Sequence, residues 1–324
     1  MRAIARSETW AVRGGFRISR GASSLSHVLH VRIEAHGIRA QGEAEAAEFN
    51  IDEAAACVAR CRDFLATLEP SYTRERLQHD LPRGPIRNAI DCALWDLEAK
   101  RSGRRAWELA GIDPAPVRTL YTLSLDTPAV MAEAARTHAH WPWLKLKLGA
   151  DGDIERVQAV RAAAPQAKLL VDANGGWNLA QLNHYAPLLA DLGVSVIEQP
   201  LPTGNDRALD GYSGQLPICA DESCTDRASL DTLPATYRFI NIKLDKTGGL
   251  SEALALAERA RTRGLGVMVG CNLGTSLAIA PALLIARHAD VVDLDSPLLL
   301  AGDREPALRF ETDLVHWPES ALWG

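Results

Sequence analysis

Long apolar runs are missing from this chain. The most apolar stretch, Leu277 to Ala286, is too short to span a bilayer. The opening residues, MRAIARSETWAVRGGF, lack the unbroken apolar core of a secretion signal, so a cytoplasmic protein is expected. No CxxC pair occurs among the six cysteines, which argues against a zinc knuckle. Cys57 and Cys61 lie four apart on one helix face. They, Cys92, Cys219 and Cys224 are expected as buried free thiols, while Cys271, just past a strand candidate, is expected to line a site. No GxGxxG follows an early strand candidate, which argues against a doubly wound dinucleotide fold. There is no excess of positive charge either. A net charge of −6 excludes broad binding to phosphate backbones. What remains is a globular, enzyme-like composition in 324 residues, enough for a barrel and one more domain.

The first 116 residues read differently from the rest. Val28–Ile33 and Ile38–Glu43 are strand candidates around a turn at His36-Gly37. A helix is expected over Ile51–Leu68. Another opens at Gly84-Pro85 and runs to Lys100, with Ile90, Ala93, Leu94 and Leu97 on its apolar face and Arg87, Asp91 and Glu98 on the surface. Residues 1–116 are therefore expected to form an α+β domain. From Val117 the chain alternates. Strand candidates are 119–124, 143–148, 168–172, 194–198, 217–221, 238–243, 265–270 and 290–295. The clearest helix, Leu250–Arg263, opens after Gly248-Gly249 and stops at Gly264. Eight strand–helix units over 117–303 predict a closed barrel. Residues 304–324 show no repeat and are expected to pack back on the first domain.

Six charged residues fall at the ends of these strands. They are Lys145 and Lys147 in LKLKLG, Asp172 in LLVDAN, Glu198 in VIEQP, Asp221 in ICADES and Lys243 in INIKLDK. From Lys147 the steps are 25, 26, 23 and 22 residues, the length of one barrel repeat. Barrel enzymes carry their chemistry at the C-terminal ends of strands. Three carboxylates converging at one mouth repel unless a cation sits among them. An all-oxygen set suits Mg²⁺ or Mn²⁺ better than Zn²⁺. A single strand-end Asp is more often a helix cap; three on successive strands point to a metal site. Asn174 and Glu222 stand beside two of them, placed to orient the ligands.

Side chains alternate along a strand, so Lys145 and Lys147 share one face and Leu144, Leu146 and Leu148 the other. The leucines suit the layer under the helices, which turns the lysines to the barrel mouth; the other reading is a surface pair on an edge strand. In an eight-stranded ring, strands two and six are opposed. Lys147 and Lys243 would then flank whatever binds between them. Two bases on opposite faces of one carbon are what a stereochemical inversion needs. Lysine ordinarily titrates near ~10.4. A neighbouring lysine and a divalent cation are expected to bring it toward the ~7–8 of a general base.

These residues resemble the enolase superfamily. The KxK at Lys145–Lys147, the carboxylate trio and the Lys243 of NIKLDKTGG are similar to its muconate-lactonizing subgroup. RNAIDCALWDLEAK, LADLGVSVIEQPLP and PICADES extend the likeness over nearly the whole chain. Within the subgroup, the DLD at Asp293 and Asp295 resembles dipeptide epimerases of the L-Ala-D/L-Glu type, where a DxD meets the substrate's α-ammonium group. The resemblance implies an α/β chain: a (β/α)7β TIM-type barrel with an N-terminal α+β capping domain completed by the C-terminal tail. It implies Lys147 and Lys243 as the catalytic pair and Asp172, Glu198 and Asp221 as ligands of Mg²⁺, or of Mn²⁺. It also implies substrate contacts from Lys145, Asp293, Asp295, Thr122, Asn272 and Ser23. The implied partner is a small dipeptide of the kind found in peptidoglycan, with no nucleic acid and no membrane; a homo-oligomer is compatible.

Two departures bear on the substrate side chain. In the Ala-Glu epimerases an Arg in the first glycine-containing loop meets the Glu side chain; in RGASSLSH that position is Ser23. The second loop reads GEAEAAEFN, with Glu43, Glu45 and Glu48, where relatives carry Pro, Tyr and Arg. Loop glutamates ordinarily face solvent. One turned inward would repel a Glu side chain and favour a neutral or cationic one. Arg17 is the replacement cation if its loop bends inward; Arg20 keeps a place that is not the Glu contact in the relatives. Three other readings compete. An o-succinylbenzoate synthase-like or cycloisomerase reaction has no amine for DLD to read. A Schiff-base aldolase needs no carboxylate trio. A non-catalytic barrel binding module has no need of all six charged residues.

Overall fold

The computed structural model describes residues 1–324. Its first sheet is antiparallel, with strands Arg2–Ile18, Gly21–Ala35 and Ile38–Ala47 in that order. Arg2–Ile18 carries little apolar alternation. Only Ala5, Val12 and Ile18 in it are buried, so no strand was expected there. The strand expected over Ile38–Glu43 runs on to Ala47, so that AEAA, read as a loop, is its end: Glu43 pairs with His30 and Glu45 with Val28.

Two helices cover this sheet. Ile51–Leu65 starts at Asn50, whose side chain accepts from the N–H groups of Asp52 and Glu53. Pro85–Ser102 has Pro at its first position, where no N–H is needed, and ends at Gly103 with φ 67°. Its close seat on the sheet depends on Gly42. A Cβ there would lie 2.2 Å from the Ala89 carbonyl oxygen and 2.8 Å from the Ala93 nitrogen. Leu29, Val31, Ile33, Ala93 and Leu97 belong to the core so formed.

Arg87 and Asp91, expected on the surface, are buried. The helix has a second buried side, facing the barrel, and that side is polar. Arg87 donates to the carbonyls of Thr247 and Gly248, at 2.6 and 3.0 Å. Asp91 accepts from the N–H and hydroxyl of Ser251, at 2.9 and 2.7 Å. Apolar periodicity cannot reveal a face buried through hydrogen bonds.

Eight parallel strands follow: Tyr121–Leu123, Trp143–Lys147, Lys168–Asp172, Val194–Glu198, Ile218–Ala220, Tyr237–Ile242, Gly266–Gly270 and Val291–Asp293. Each lies beside the next in chain order. The Leu120 N–H donates to the Val292 carbonyl at 2.9 Å and closes the ring. The first strand is shorter than the expected 119–124, and Val117–Arg118 before it pairs with Leu314–Val315. Helices alternate with the strands, and Leu144, Leu146 and Leu148 join the core between the two layers. On the other face Lys145 pairs with Leu170, and Lys147 with Asp172. Leu170, Val196, Cys219 and Met268 form a separate cluster. The inward face therefore steps from an apolar floor to a charged rim.

The tail returns to the first domain. The Trp323 indole donates to the Cys92 carbonyl at 2.9 Å, the Gly324 N–H to Asp96 at 2.7 Å, and the Gln41 amide to the Leu322 carbonyl at 2.8 Å. All six cysteines are free. No helix is long and apolar enough to cross a membrane.

Candidate active site

Strand register builds the site. Asp172 pairs with Lys147 on one side and Glu198 on the other, so three charged ends stand in a row. Asp221 follows one residue after its strand. Gln199 positions it: with φ 33° the Gln199 backbone turns sharply, and its side-chain oxygen accepts from the N–H groups of Asp221 and Ser223 at 2.9 and 3.2 Å.

One oxygen from each of Asp172, Glu198 and Asp221 lies within 4.8 Å of the others. All three residues are buried, so cations must balance them. Lys145 Nζ lies 2.8 Å from Glu198, 2.8 Å from Asp293 and 3.2 Å from Asp172. Lys147 lies 2.6 Å from Asp172, and Lys243 2.8 Å from Asp221. Even so, Glu198 Oε2 and Asp221 Oδ1 accept no hydrogen bond. The ammonium groups of Lys145 and Lys246 approach them to 2.8 and 2.5 Å, but off the line of a bond. The short distances mark charge contact; the misalignment leaves lone pairs free. Free carboxylate lone pairs at the centre of an all-oxygen cluster fit a hard divalent cation.

The charges decide each titration. Burial pushes the Asp172 carboxyl up, but Lys147 and Lys145 outweigh it and hold it at about 2. At Glu198 burial wins, Asp172 adds to it, and the group is pushed up to about 7. Burial opposes the charge on Lys243, yet Asp221 beside it holds its proton above lysine's ordinary range. Asp221 bonds the ammonium directly and so opposes the fall toward a neutral amine expected from a neighbouring lysine and a divalent cation.

A cavity of about 340 Å³ opens above the cluster, lined by Lys147 and Lys243 together with Asp221. Thr122, Asn174, Glu222, Asn272, Asp293, Asp295 and Ser23 also line it. Lys145 does not. It is 1% exposed and ties Glu198 and Asp293 together, deeper than the expected substrate contact. Asp295 lies past the end of the last strand rather than on its face. The Thr122 N–H donates to Asp295 at 2.6 Å and its hydroxyl to Asp293 at 3.2 Å. Burial, with Asp293 alongside, raises Asp295 to about 7. Lys145 serves Asp293, and Asp295 lacks a cation of its own, so the pair can accept an ammonium group. Asn174, at φ 44°, donates its backbone N–H to Asp172 at 2.9 Å and its side-chain amide to Glu222 at 3.2 Å.

The first sheet supplies the cover. Ser23 reaches the cavity, but its hydroxyl donates to the Leu25 carbonyl at 2.6 Å. Arg17 is exposed and does not line the cavity. Arg20 does, and it is bound by Glu222 at 2.5 Å and Glu48 at 3.2 Å. The expectation of solvent-facing glutamates fails twice. Glu43 is buried against Arg304 at 2.5 Å, and Glu45 is buried facing the cavity. Both are strand residues, and their strand lies over the barrel mouth.

Several residues escaped the sequence reading. The Asn241 amide donates to Glu198 at 2.7 Å; it stands two before Lys243, on the same strand face, which is the signal that could have found it. Lys246, one helical turn after Lys243, caps Asp221. Asp245, Phe16 and Phe49 line the cavity with no local signal.

Residues 1–111 match the family model for the mandelate racemase / muconate lactonizing enzyme N-terminal domain, and residues 129–319 match the enolase C-terminal domain-like model. The chain is 45% identical over 312 residues to an L-Ala-D/L-Glu epimerase of Escherichia coli (strain K12), covering 95% of this chain and 97% of the relative. It is 42% identical over 258 residues to an N-acetyl-D-glutamate racemase of Pseudoalteromonas sp, covering 78% and 82%. A solved Agrobacterium tumefaciens enolase family member with homology to dipeptide epimerases, holding sodium and L-Ala-L-Glu with an ordered loop, matches with a TM-score of 0.94. It is 44% identical, over 99% of both chains. With both family domains present in order, the chain belongs to the mandelate racemase / muconate lactonizing enzyme family of the enolase superfamily.

Proposed function

We propose that the protein is a metal-dependent dipeptide epimerase, an isomerase that inverts the α-carbon of the C-terminal residue. The observation that carries this reading is the pair Lys147 and Lys243. They line one cavity from the second and sixth of eight strands, together with the carboxylate pair Asp293 and Asp295. Relatives named as L-Ala-D/L-Glu epimerases and hydrophobic dipeptide epimerases support it.

The two lysines divide the work. One, neutral, takes the α-proton from one face; the other, protonated, returns a proton to the opposite face. Asp172 and Asp221 aim the two ammonium groups from 2.6 and 2.8 Å. Asp293 and Asp295 hold the substrate's free amine by charge-assisted contacts. Asp172, Glu198 and Asp221 would hold Mg²⁺, with Mn²⁺ the alternative. When bound, such a cation supplies positive charge that offsets the charge developing on the substrate carboxylate. Asn241 occupies one oxygen of Glu198 and leaves the other facing the cluster. Cycloisomerase and succinylbenzoate-forming reactions use no amine, so the paired carboxylates weigh against them.

The test is a panel of dipeptides and N-acetyl amino acids in heavy water with Mg²⁺. Deuterium uptake at Cα and appearance of the second epimer are expected for dipeptides. Exchange confined to N-acetyl amino acids would overturn the reading in favour of an N-acyl amino acid racemase.

A further inference from the structure

We infer that the epimerised residue of the preferred dipeptide carries a cationic side chain of the lysine or arginine kind, held by Glu45 with Glu48. This rests on the dipeptide reading above and names the substrate class for it.

Glu45 is 9% exposed and faces the cavity. Its N–H donates to Asp245 at 3.0 Å, which brings a second cavity-lining carboxylate beside it. Asp245 is itself served by the Asn88 amide at 3.1 Å, and Glu45 by the side chain of Asn272. These partners are neutral. The basic group whose charge reaches Glu45, Lys243, is held by Asp221 at 2.8 Å. Burial, with Asp245 and Glu48 nearby, pushes the Glu45 carboxyl well above its ordinary value, which marks a site short of positive charge.

The cover offers no free cation in return. Arg20 is divided between Glu222 and Glu48. Ser23 carries no charge, and Arg17 faces away. An anionic side chain entering here would meet Glu45, Glu48 and Asp245 with no unpaired partner. A lysine or arginine would supply the missing charge. The rest of the wall suits its stem: Phe16, Ile18 and Phe49 line the same cavity, and a long cationic side chain buries its methylenes on such surfaces. The Phe49 ring can also face the charged head.

The experiment compares L-Ala-L-Lys, L-Ala-L-Leu and L-Ala-L-Glu on the Mg²⁺-loaded wild type, E45Q and E48Q, by Cα deuterium exchange and by titration calorimetry. The wild type should favour Lys over Leu, and Leu over Glu, in kcat/KM. E45Q should lower the Lys-to-Glu ratio by roughly tenfold to a hundredfold. E48Q, at an exposed position paired with Arg20, should move it the same way by less. A preference for L-Ala-L-Glu overturns the inference, as does a ratio unmoved in both variants. Calorimetry separates the two ideas. L-Ala-L-Lys bound preferentially without exchange keeps the cationic preference and removes the epimerase reading. Exchange with L-Ala-L-Glu bound more tightly does the reverse. Binding of none of the three removes both.

Discussion

Lys147 and Asp172 face each other in register across the second and third barrel strands, with Nζ 2.6 Å from Oδ2. Lys243 and Asp221 repeat the relation at 2.8 Å on the far side. Each carboxylate thus meets a lysine with one oxygen while belonging to the acidic cluster. On the reading proposed above, holding the proton carrier and holding the metal would be coupled through one carboxylate on each side.

That coupling makes metal removal the first test. Chelation followed by dialysis should abolish Cα exchange, and Mg²⁺ or Mn²⁺ should restore it. Added Mg²⁺ should also raise the thermal midpoint of the stripped protein, since a ligand of the native state stabilises it. Undiminished exchange in the stripped protein would sink the mechanism.

Each lysine should serve one face of the substrate carbon. Lys147→Ala and Lys243→Ala should each lose epimerisation by roughly 10²–10⁴-fold. Each should keep proton exchange on one epimer only, visible by NMR in heavy water. Near wild-type interconversion by either variant excludes the two-base assignment.

Asp295 should read the free amine. Asp295→Asn should weaken kcat/KM for dipeptides by roughly one to two decades, the worth of a charge-assisted contact. N-acetylated dipeptides, tested alongside, should be much less affected. Equal losses on both would take the amine away from Asp295.

Gly42 should tolerate no side chain. A Cβ there falls 2.2 Å from the Ala89 carbonyl oxygen, which belongs to helix backbone and cannot swing aside. Gly42→Ala should cost about 1–3 kcal/mol in urea unfolding, the usual range for overpacking. A shift within experimental error would mean that the helix and sheet part easily.

Asp91 should leave a mark on the pH dependence of stability. Burial raises its carboxyl to about 6, against bonds from Ser251 that lower it. The unfolded value is about 3.9. Between these the folded chain holds the proton and the unfolded chain releases it. Raising the pH from about 4 to about 6 therefore favours unfolding, by up to about 2–3 kcal/mol from this group. Above that window both states are ionised and the contribution is constant. Wild type should lose stability relative to Asp91→Asn as the pH rises through the window, and then run parallel to it. Parallel curves throughout would show that Asp91 titrates normally.

The barrel strands were legible because two signals coincide in them. Apolar alternation gives the strand, and a charged residue at its end, such as Asp172 or Glu198, gives the mouth. The fit of Lys147 to Asp172 follows from strand order alone. The cover was not legible in that way. Arg2–Ile18 is a strand with little apolar pattern, held by its partner rather than by its own composition. Glu45 looked like a solvated loop residue, because nothing local says that its strand lies over the barrel. Arg87 and Asp91 were misplaced for the same reason: their partners, Gly248 and Ser251, are more than 150 residues away. Lys145 was placed on the correct strand face but at the wrong depth, which depends on how three acids pack around it.

Glu45, Glu48 and Ser23 stand on or beside a sheet whose core is Leu29, Val31 and Ile33, while the lysines and the acidic trio stand on barrel strands with a separate core. On the reading proposed above, the grip on the substrate's side chain and the proton transfer are therefore encoded in different parts of the chain, while the amine contact stays with the barrel. Substitutions along the inner edge of the sheet can search new substrates without disturbing proton transfer. A lineage built this way can drift in diet while keeping one reaction. The same separation marks residues 16–25 and 43–49 as the place to randomise when a different dipeptide is wanted.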